Sequence, residues 1–183
     1  MLFVHANTLR RRNELGRQEK NEKVGRHSTQ MCAVMGKGEV RWLVKFLGTS
    51  PKKLTAVSAI EDRLRLQKAA FLLNHLKVSP FTEYTFSMYL KGPYSPSLAR
   101  DYYNLGKTRA AHFTLDPNHM KTLTWFSKRE AKWLEVASSI LSIKERNKGV
   151  GNEDVYSVLT MSKPWVEREY FESVVAELDR KQL

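Results

Sequence analysis

Two stretches decide the fold of this chain: residues 63–73 (RLRLQKAAFLL) and residues 89–98 (YLKGPYSPSL). In the first, apolar residues recur at helical spacing, which predicts a largely buried helix over 62–77. Asp62 comes just before the apolar run and is the expected N-cap of this helix. The basic residues of the helix, Lys68 among them, are expected to point away from the core.

The second stretch completes a predicted strand and starts another helix. Apolar and polar residues alternate over 83–91, which predicts a half-buried strand with Leu90 on its core side. Residues 92–95 have the composition of a tight turn. Ser95 is followed by proline, which is typical of an N-cap with proline at the first helical position, and the helix is expected to end near residue 105.

The rest of the chain adds helices to this centre. Helical spacing predicts helices over 38–47, 127–148 and 152–159, and a terminal helix from 162, while 123–125 is a short strand candidate. The fold class is therefore mainly α (α+β). We predict a compact helical domain of five to six helices with a small winged-helix-like component of two or three strands.

Composition bounds the class of protein. The chain has 183 residues, of which 42% are apolar, enough for one core. No purely apolar run exceeds five residues, whereas a membrane span needs about 20, so no membrane partner is expected. A single cysteine, Cys32, excludes an internal disulfide framework and fits a reducing cytosol. The predicted location is cytoplasmic.

Charge separates the first residues from the rest. The net charge of +12 attracts polyanions, and residues 1–30 contribute seven Lys and Arg against three Asp and Glu with few aliphatic residues. We expect a basic, disordered N-terminal extension over 1–30 and a single globular domain over 31–183. The extension is either an arm for phosphate contact or, as we favour, a segment upstream of a true start at Met31 or Met35.

The sequence contains no recognisable catalytic, metal or cofactor motif. A Walker loop, a nucleophile elbow and a dinucleotide fingerprint are all missing, and no two histidines lie at i and i+4. His112, Asp116 and His119 share one predicted loop, where ordinary surface roles are expected. We therefore predict neither metal nor cofactor and no enzymatic activity, with a metal-dependent nuclease as a minor alternative.

The strongest functional signal is a concentration of tyrosine beside lysine and arginine. This combination is typical of surfaces that contact other proteins, and it also stacks on bases and contacts phosphates. Alternatively, the tyrosines complete the core and leave only their hydroxyls at the surface. The predicted partner-binding residues are Tyr89, Lys91, Tyr94, Arg100 and Tyr103.

Two motifs in the same stretches resemble those of a known family. The chain resembles the YwgA-like proteins of bacteria and archaea and, more distantly, is similar to the Panacea antitoxin domain, which includes SocA. In these groups a leucine-glutamine-lysine helix is followed by an extended segment and a glycine-proline turn that opens another helix. The residues that carry the resemblance are Leu66, Gln67, Lys68, Gly92, Pro93, Tyr94 and Ser95.

The resemblance implies a compact, mainly helical domain with a small strand component and assigns no catalytic residue. Panacea members are implied to be antitoxins that hold a toxin by direct contact, some of them as adaptors that deliver it to a protease. We expect a non-enzymatic, cytosolic binding or regulatory protein whose partner is a protein, either a toxin or a regulatory target.

The alternative function is a winged-helix DNA-binding regulator. In it, the helix that follows Ser95 would place Arg100 in the major groove, and the strand region would act as the wing. The basic charge motivates this alternative, because residues 31–183 alone carry 24 Lys and Arg against 16 Asp and Glu. The sequence leaves the oligomeric state open.

Overall fold

The structure is a computed structural model and describes residues 36–183, so the predicted extension over 1–30 lies outside the described residues. The described part forms eight α-helices, one 3-10 helix and a two-stranded antiparallel sheet. In chain order these are α1 (Lys37–Phe46), α2 (Pro51–Leu54), α3 (Ile60–His75), the 3-10 helix (Phe81–Glu83), β1 (Ser87–Tyr89), β2 (Gly92–Tyr94), α4 (Pro96–Tyr103), α5 (Pro117–Ser127), α6 (Ala131–Arg146), α7 (Asn152–Ser162) and α8 (Arg168–Asp179).

This confirms the mainly helical α+β fold with a small strand component. The described residues form eight α-helices, against five to six predicted. One addition is the four-residue α2, whose N-cap is Ser50. The other addition is α5, which includes the strand candidate 123–125. That candidate is wrong because Asp116 caps a helix upstream of it: the Asp116 carboxylate accepts from the backbone N–H of Asn118 at 2.8 Å and of His119 at 3.4 Å.

The centre of the fold is the pair α3 and α6. Every residue of α3 from Leu66 to Leu73 is buried; the apolar run predicted this for its apolar residues and not for Lys68. Helix α6 is buried continuously from Val136 to Ile143. Helix α5 and the 3-10 helix pack on α3, helices α7 and α8 pack on α6, and α1 packs on α3 and α4. One hydrophobic core connects them, and β2 lies against both central helices.

Helix α3 begins two residues earlier than predicted. Its first residue is Ile60, so Asp62 lies in the first turn, where its carboxylate pairs with Lys53 at 3.0 Å instead of capping the helix. The Arg63 guanidinium donates to the carbonyls of Leu54 and Ala56 at 2.9 and 2.7 Å. These bonds tie the loop after α2 to the start of α3.

The predicted strand is mostly replaced by a hairpin. The expected alternation of burial holds as far as Met88, but only Ser87–Tyr89 is strand, and Gly92–Tyr94 pairs with it instead of forming a turn. Tyr89 faces Gly92 across the hairpin, so the turn consists of two residues, the first being Leu90. Because it lies in the turn, Leu90 is 82% exposed and not on the core side as predicted.

The predicted start of α4 is confirmed. The Leu98 backbone N–H donates to Ser95 Oγ at 3.4 Å, and the proline that follows Ser95 is the first helical residue. The helix is held from its other side by Tyr84, whose hydroxyl donates to Asp101 Oδ2 at 2.8 Å. Burial, together with this hydrogen bond and the Asp101 charge, raises the pKa of Tyr84 well above its usual range.

Candidate functional site

A cavity of about 350 Å³ opens between the first half of α3, the hairpin and the end of α4. We call it the tyrosine cleft. Four of the five predicted partner-binding residues line it, which brings together side chains from the hairpin and from α4. The residues lining the cleft are Ile60, Arg63, Leu64, Gln67, Lys68, Tyr89, Leu90, Lys91, Gly92, Tyr94, Tyr102 and Tyr103.

The fifth predicted residue, Arg100, is not part of the cleft. It is exposed on α4, whose buried side consists of Leu98, Ala99 and Tyr102. The tyrosines divide between the two interpretations that the sequence left open. Tyr102 is 2% exposed and belongs to the core, whereas Tyr103 is 47% exposed.

The rim of the cleft is apolar and open to solvent. Leu90 is 82% exposed, Ile60 54% and Tyr89 53%, although large apolar side chains usually lie inside. The Tyr89 ring meets the ring of Tyr94 edge to face at 5.3 Å, and the rings of Tyr102 and Tyr103 lie 4.7 Å apart. These contacts fix the tyrosine rings against one another.

Gln67 fixes the end of the hairpin to α3. Its amide nitrogen donates to the Ser95 carbonyl at 3.0 Å, and its amide oxygen accepts from the Ser95 backbone N–H at 2.9 Å. Both residues are buried, so this pair satisfies four polar groups that would otherwise be costly inside the fold. The hydrogen bonds hold the residue that caps α4 in register with α3.

Lys68, expected to point away from the core, is instead 2% exposed, because the hairpin covers its side of α3. Its ammonium group donates to the Pro93 carbonyl at 2.7 Å. Burial lowers the pKa of Lys68 to about 7; the Glu135 carboxylate opposes the shift, and the charges of Lys163 and Lys91 add to it. A lysine that can change its charge near neutral pH thus lies among the residues of the cleft.

A second buried lysine holds the hairpin from the opposite side. Lys163, which directly follows α7, is fully buried; its ammonium group donates to the Leu90 carbonyl and pairs with the Glu135 carboxylate at 3.1 Å. Within residues 36–183, Lys68 forms no such ion pair with a carboxylate. The buried side chains of Lys68 and Lys163 therefore lie near the same carboxylate, that of Glu135, and Lys163 is the one that forms the ion pair with it.

Gly92 is required by the close approach of the hairpin to α6. Its φ of +80° is in the left-handed region, and a Cβ atom on it would lie 2.7 Å from Ser139 Oγ and 3.1 Å from the Glu135 carbonyl oxygen. The glycine of the predicted motif therefore lets the hairpin reach the helix that supplies Glu135.

Sequence reasoning missed several residues of this site. Leu90 was predicted to lie in the core. The sequence did not identify Ile60, Glu135 or Lys163 as site residues, because they come together only in the folded chain. In many hairpins, two turn residues are followed by a glycine in the left-handed region. Gly92 is such a glycine, and this signal could have placed Leu90 in an exposed turn. No local pattern distinguishes Lys163 from a surface lysine.

A second surface combines basic and aromatic residues at the end of α5. The Arg129 guanidinium lies 4.9 Å from the ring centre of Trp125 and 5.2 Å from that of Trp133, and it pairs with Glu177. The Lys181 ammonium group also lies 5.3 Å from the Trp125 ring. Because Trp125 already contacts two cations of the chain itself, we interpret this cluster as stabilising the packing of α5 on α6 and α8.

The described residues offer no group of three or more histidine, cysteine, aspartate or glutamate side chains that could hold a metal ion. Asp116, from the loop triad of the sequence, is used as the cap of α5. No helix within 36–183 has the length and apolar character needed to cross a membrane. Comparison of the chain with models of known protein families, with curated proteins and with solved structures finds no match.

Proposed function

We propose that this chain is a non-enzymatic, cytosolic protein of regulatory type that binds a partner protein at the tyrosine cleft. The observation that carries the proposal is the exposed apolar rim of the cleft, formed by Leu90, Ile60, Tyr89 and Tyr103. Apolar side chains grouped around a cavity are typical of protein interaction sites, and tyrosine is prominent among the residues that dominate binding energy.

The resemblance to YwgA-like proteins and to the Panacea domain supports a partner of the toxin or regulatory-target kind. The motif residues Gln67 and Lys68 bind the backbone of Ser95 and Pro93, which holds the hairpin beside the rim. In this proposal the motif residues hold the hairpin in place and line the binding site. The chain would act by antitoxin-like or adaptor-like contact.

Site-specific photo-crosslinking in the source organism tests the proposal. A photoreactive phenylalanine derivative is placed at Leu90, at Tyr103 or at Val158 as the control. Val158 is 46% exposed, close to the 47% of Tyr103, and does not line the cleft. We expect one partner protein to be crosslinked from Leu90 and from Tyr103 and not from Val158. Equal crosslinking from Val158, or none from the cleft positions, would refute the proposal.

Nucleic-acid binding is the second candidate, and the basic charge of the chain is the observation that favours it. On the surface at the end of α5, Lys121 and Lys128 are exposed beside Arg129. Binding through such cations would fall steeply with salt, and Lys121→Ala and Lys128→Ala would each weaken it on any duplex sequence. An unchanged duplex mobility at low salt with micromolar protein would exclude this candidate. The predicted contact through Arg100 is tested by Arg100→Ala in the same assay.

A further inference from the structure

The positive charge in the tyrosine cleft has no counterpart among the residues that line it. The lining contains Arg63, Lys68 and Lys91 and no acidic residue. The Arg63 guanidinium is already bonded to backbone carbonyls, and Lys91 is exposed to water. Lys68 is therefore the one cation of the lining that combines near-complete burial with the lack of an ion pair in the described part of the chain.

Lys68 also has N–H donors that are not used in a hydrogen bond within the described part of the chain. A lysine ammonium carries three N–H groups, and within 36–183 its one hydrogen bond goes to the Pro93 carbonyl. Leaving a buried cation without a partner charge is costly, and an anion that reaches it removes that cost. The apolar rim meanwhile favours an apolar group from the same ligand. The ligand that fits is an apolar group attached to an anion.

We propose that the tyrosine cleft binds the free C-terminus of the partner protein, with the terminal carboxylate on Lys68 and the last, apolar side chain between Leu90 and the rim tyrosines. This inference rests on the proposed function, since it names the part of the partner that enters the cleft. Charge complementarity favours this occupant, because Lys68 shares the one nearby carboxylate of the described residues, Glu135, with Lys163, which forms the ion pair; the apolar rim beside it favours the apolar side chain.

The size and position of the cavity favour a chain end over an internal segment. Its volume of about 350 Å³ is at the small end of ligand sites, which span roughly 300–1,000 Å³. Lys68 is 2% exposed, so a group that contacts its ammonium must enter past the rim and stop there. A C-terminal residue brings a carboxylate and an apolar side chain into the cavity on one residue, whereas an internal segment would need two residues to supply them.

Binding of a carboxylate should be coupled to protonation of Lys68. The charged groups around it are Glu135 from α6, Lys163 after α7 and Lys91 from the hairpin turn, and burial is the main cause of its lowered pKa. A bound carboxylate favours the charged ammonium, so each binding event takes up a proton when the pH is above 7. The affinity should fall between pH 7 and pH 9, by up to about tenfold per pH unit.

Calorimetric titration of the full chain with short peptides tests the proposal. The probes are N-acetylated hexapeptides that end in leucine, phenylalanine or valine, each as the free acid and as the C-terminal amide. We expect at least one free acid to bind about tenfold more tightly than its amide at pH 7. In Lys68→Met the acid and the amide should bind equally, while Lys45→Met, which changes an exposed lysine outside the cleft, should keep the difference.

Two outcomes of the titration would overturn the proposal. It is overturned if no free acid binds more tightly than its amide to the wild-type chain, a comparison that does not depend on the folding of a variant. It is also overturned if an amidated peptide with an internal aspartate binds as tightly as the free acid, since the site would then accept acidic side chains. If Leu90 and Tyr103 still crosslink a partner under these outcomes, the proposed function stands and the C-terminal recognition alone is wrong.

Discussion

The buried ammonium group of Lys68 makes the stability of the fold depend on pH. Its pKa is about 7 in the folded chain and 10.5 ordinarily, so between these values unfolding takes up a proton. The free energy of unfolding should therefore rise with pH, and over pH 7–9 this group contributes at most about 1.4 kcal/mol per pH unit. Urea unfolding at pH 7, 8 and 9 measures the slope.

The control for this prediction is Lys68→Met, which removes the titrating group. In this variant the unfolding free energy should rise less steeply with pH than in the wild type, whatever the absolute stability of the variant. If the two chains show the same slope over pH 7–9, the lowered pKa of Lys68 is refuted.

Ser95 and Tyr103 should separate stability from binding. Ser95 is fully buried and caps α4, so Ser95→Ala should cost about 1 kcal/mol of unfolding free energy and leave partner binding per folded molecule nearly unchanged. Tyr103 is half-exposed on the rim, so Tyr103→Ala should weaken binding and change stability by less than about 1 kcal/mol. Thermal unfolding and the crosslinking yield measure the two effects; unfolding of Tyr103→Ala at room temperature would show that Tyr103 is a core residue.

Residue patterns predicted burial well where the cause is local and poorly where it is not. The apolar run of α3 predicted the burial of its apolar residues, and the Ser95–proline pair predicted the cap of α4. Lys68 was assigned to the surface because a helical pattern shows which side is apolar, and it cannot show that a hairpin later covers a lysine. The burial of Lys68 depends on contacts with residues 25 positions away.

At the scale of elements, the hairpin depends on Gly92. In Gly92→Ala the added Cβ would contact Ser139 Oγ and the Glu135 carbonyl, in addition to the strain of a left-handed backbone. We expect a loss of roughly 2–4 kcal/mol in unfolding free energy, measured by urea titration. Gly48→Ala is the matched control, because Gly48 has a φ of +69° and nothing near its Cβ position. Equal losses in the two variants would contradict a close contact between the hairpin and α6.

Element types were predictable where sequence spacing matches one element over many residues. The long helices α3 and α6 were anticipated, although α6 starts at Ala131 and not near residue 127. The hairpin was taken as one strand and a turn because alternation over residues 83–91 does not show where a two-residue turn interrupts it. The strand candidate 123–125 is helical because its N-terminal cap lies seven residues upstream, beyond the window of the local pattern.

At the scale of the molecule, one core connects the described helices from Val40 to Leu178. Such a core predicts a single cooperative unfolding transition. Trp42 on α1 and Trp133 on α6 report on different parts of the core. Tryptophan fluorescence and far-ultraviolet circular dichroism of the full chain should therefore give coincident urea transitions with one midpoint. Separate midpoints would show that the described helices do not unfold as one cooperative unit.

The bond between Lys163 and the Leu90 carbonyl has a consequence for the time at which the site forms during synthesis. The hairpin emerges from the ribosome more than 70 residues before the lysine that holds its turn. A nascent or truncated chain that lacks α7 and Lys163 has the rim residues but not the bond that fixes their turn. We therefore expect binding competence to arise only once α7 and Lys163 have been made, which delays capture of the partner until long after the rim residues have emerged.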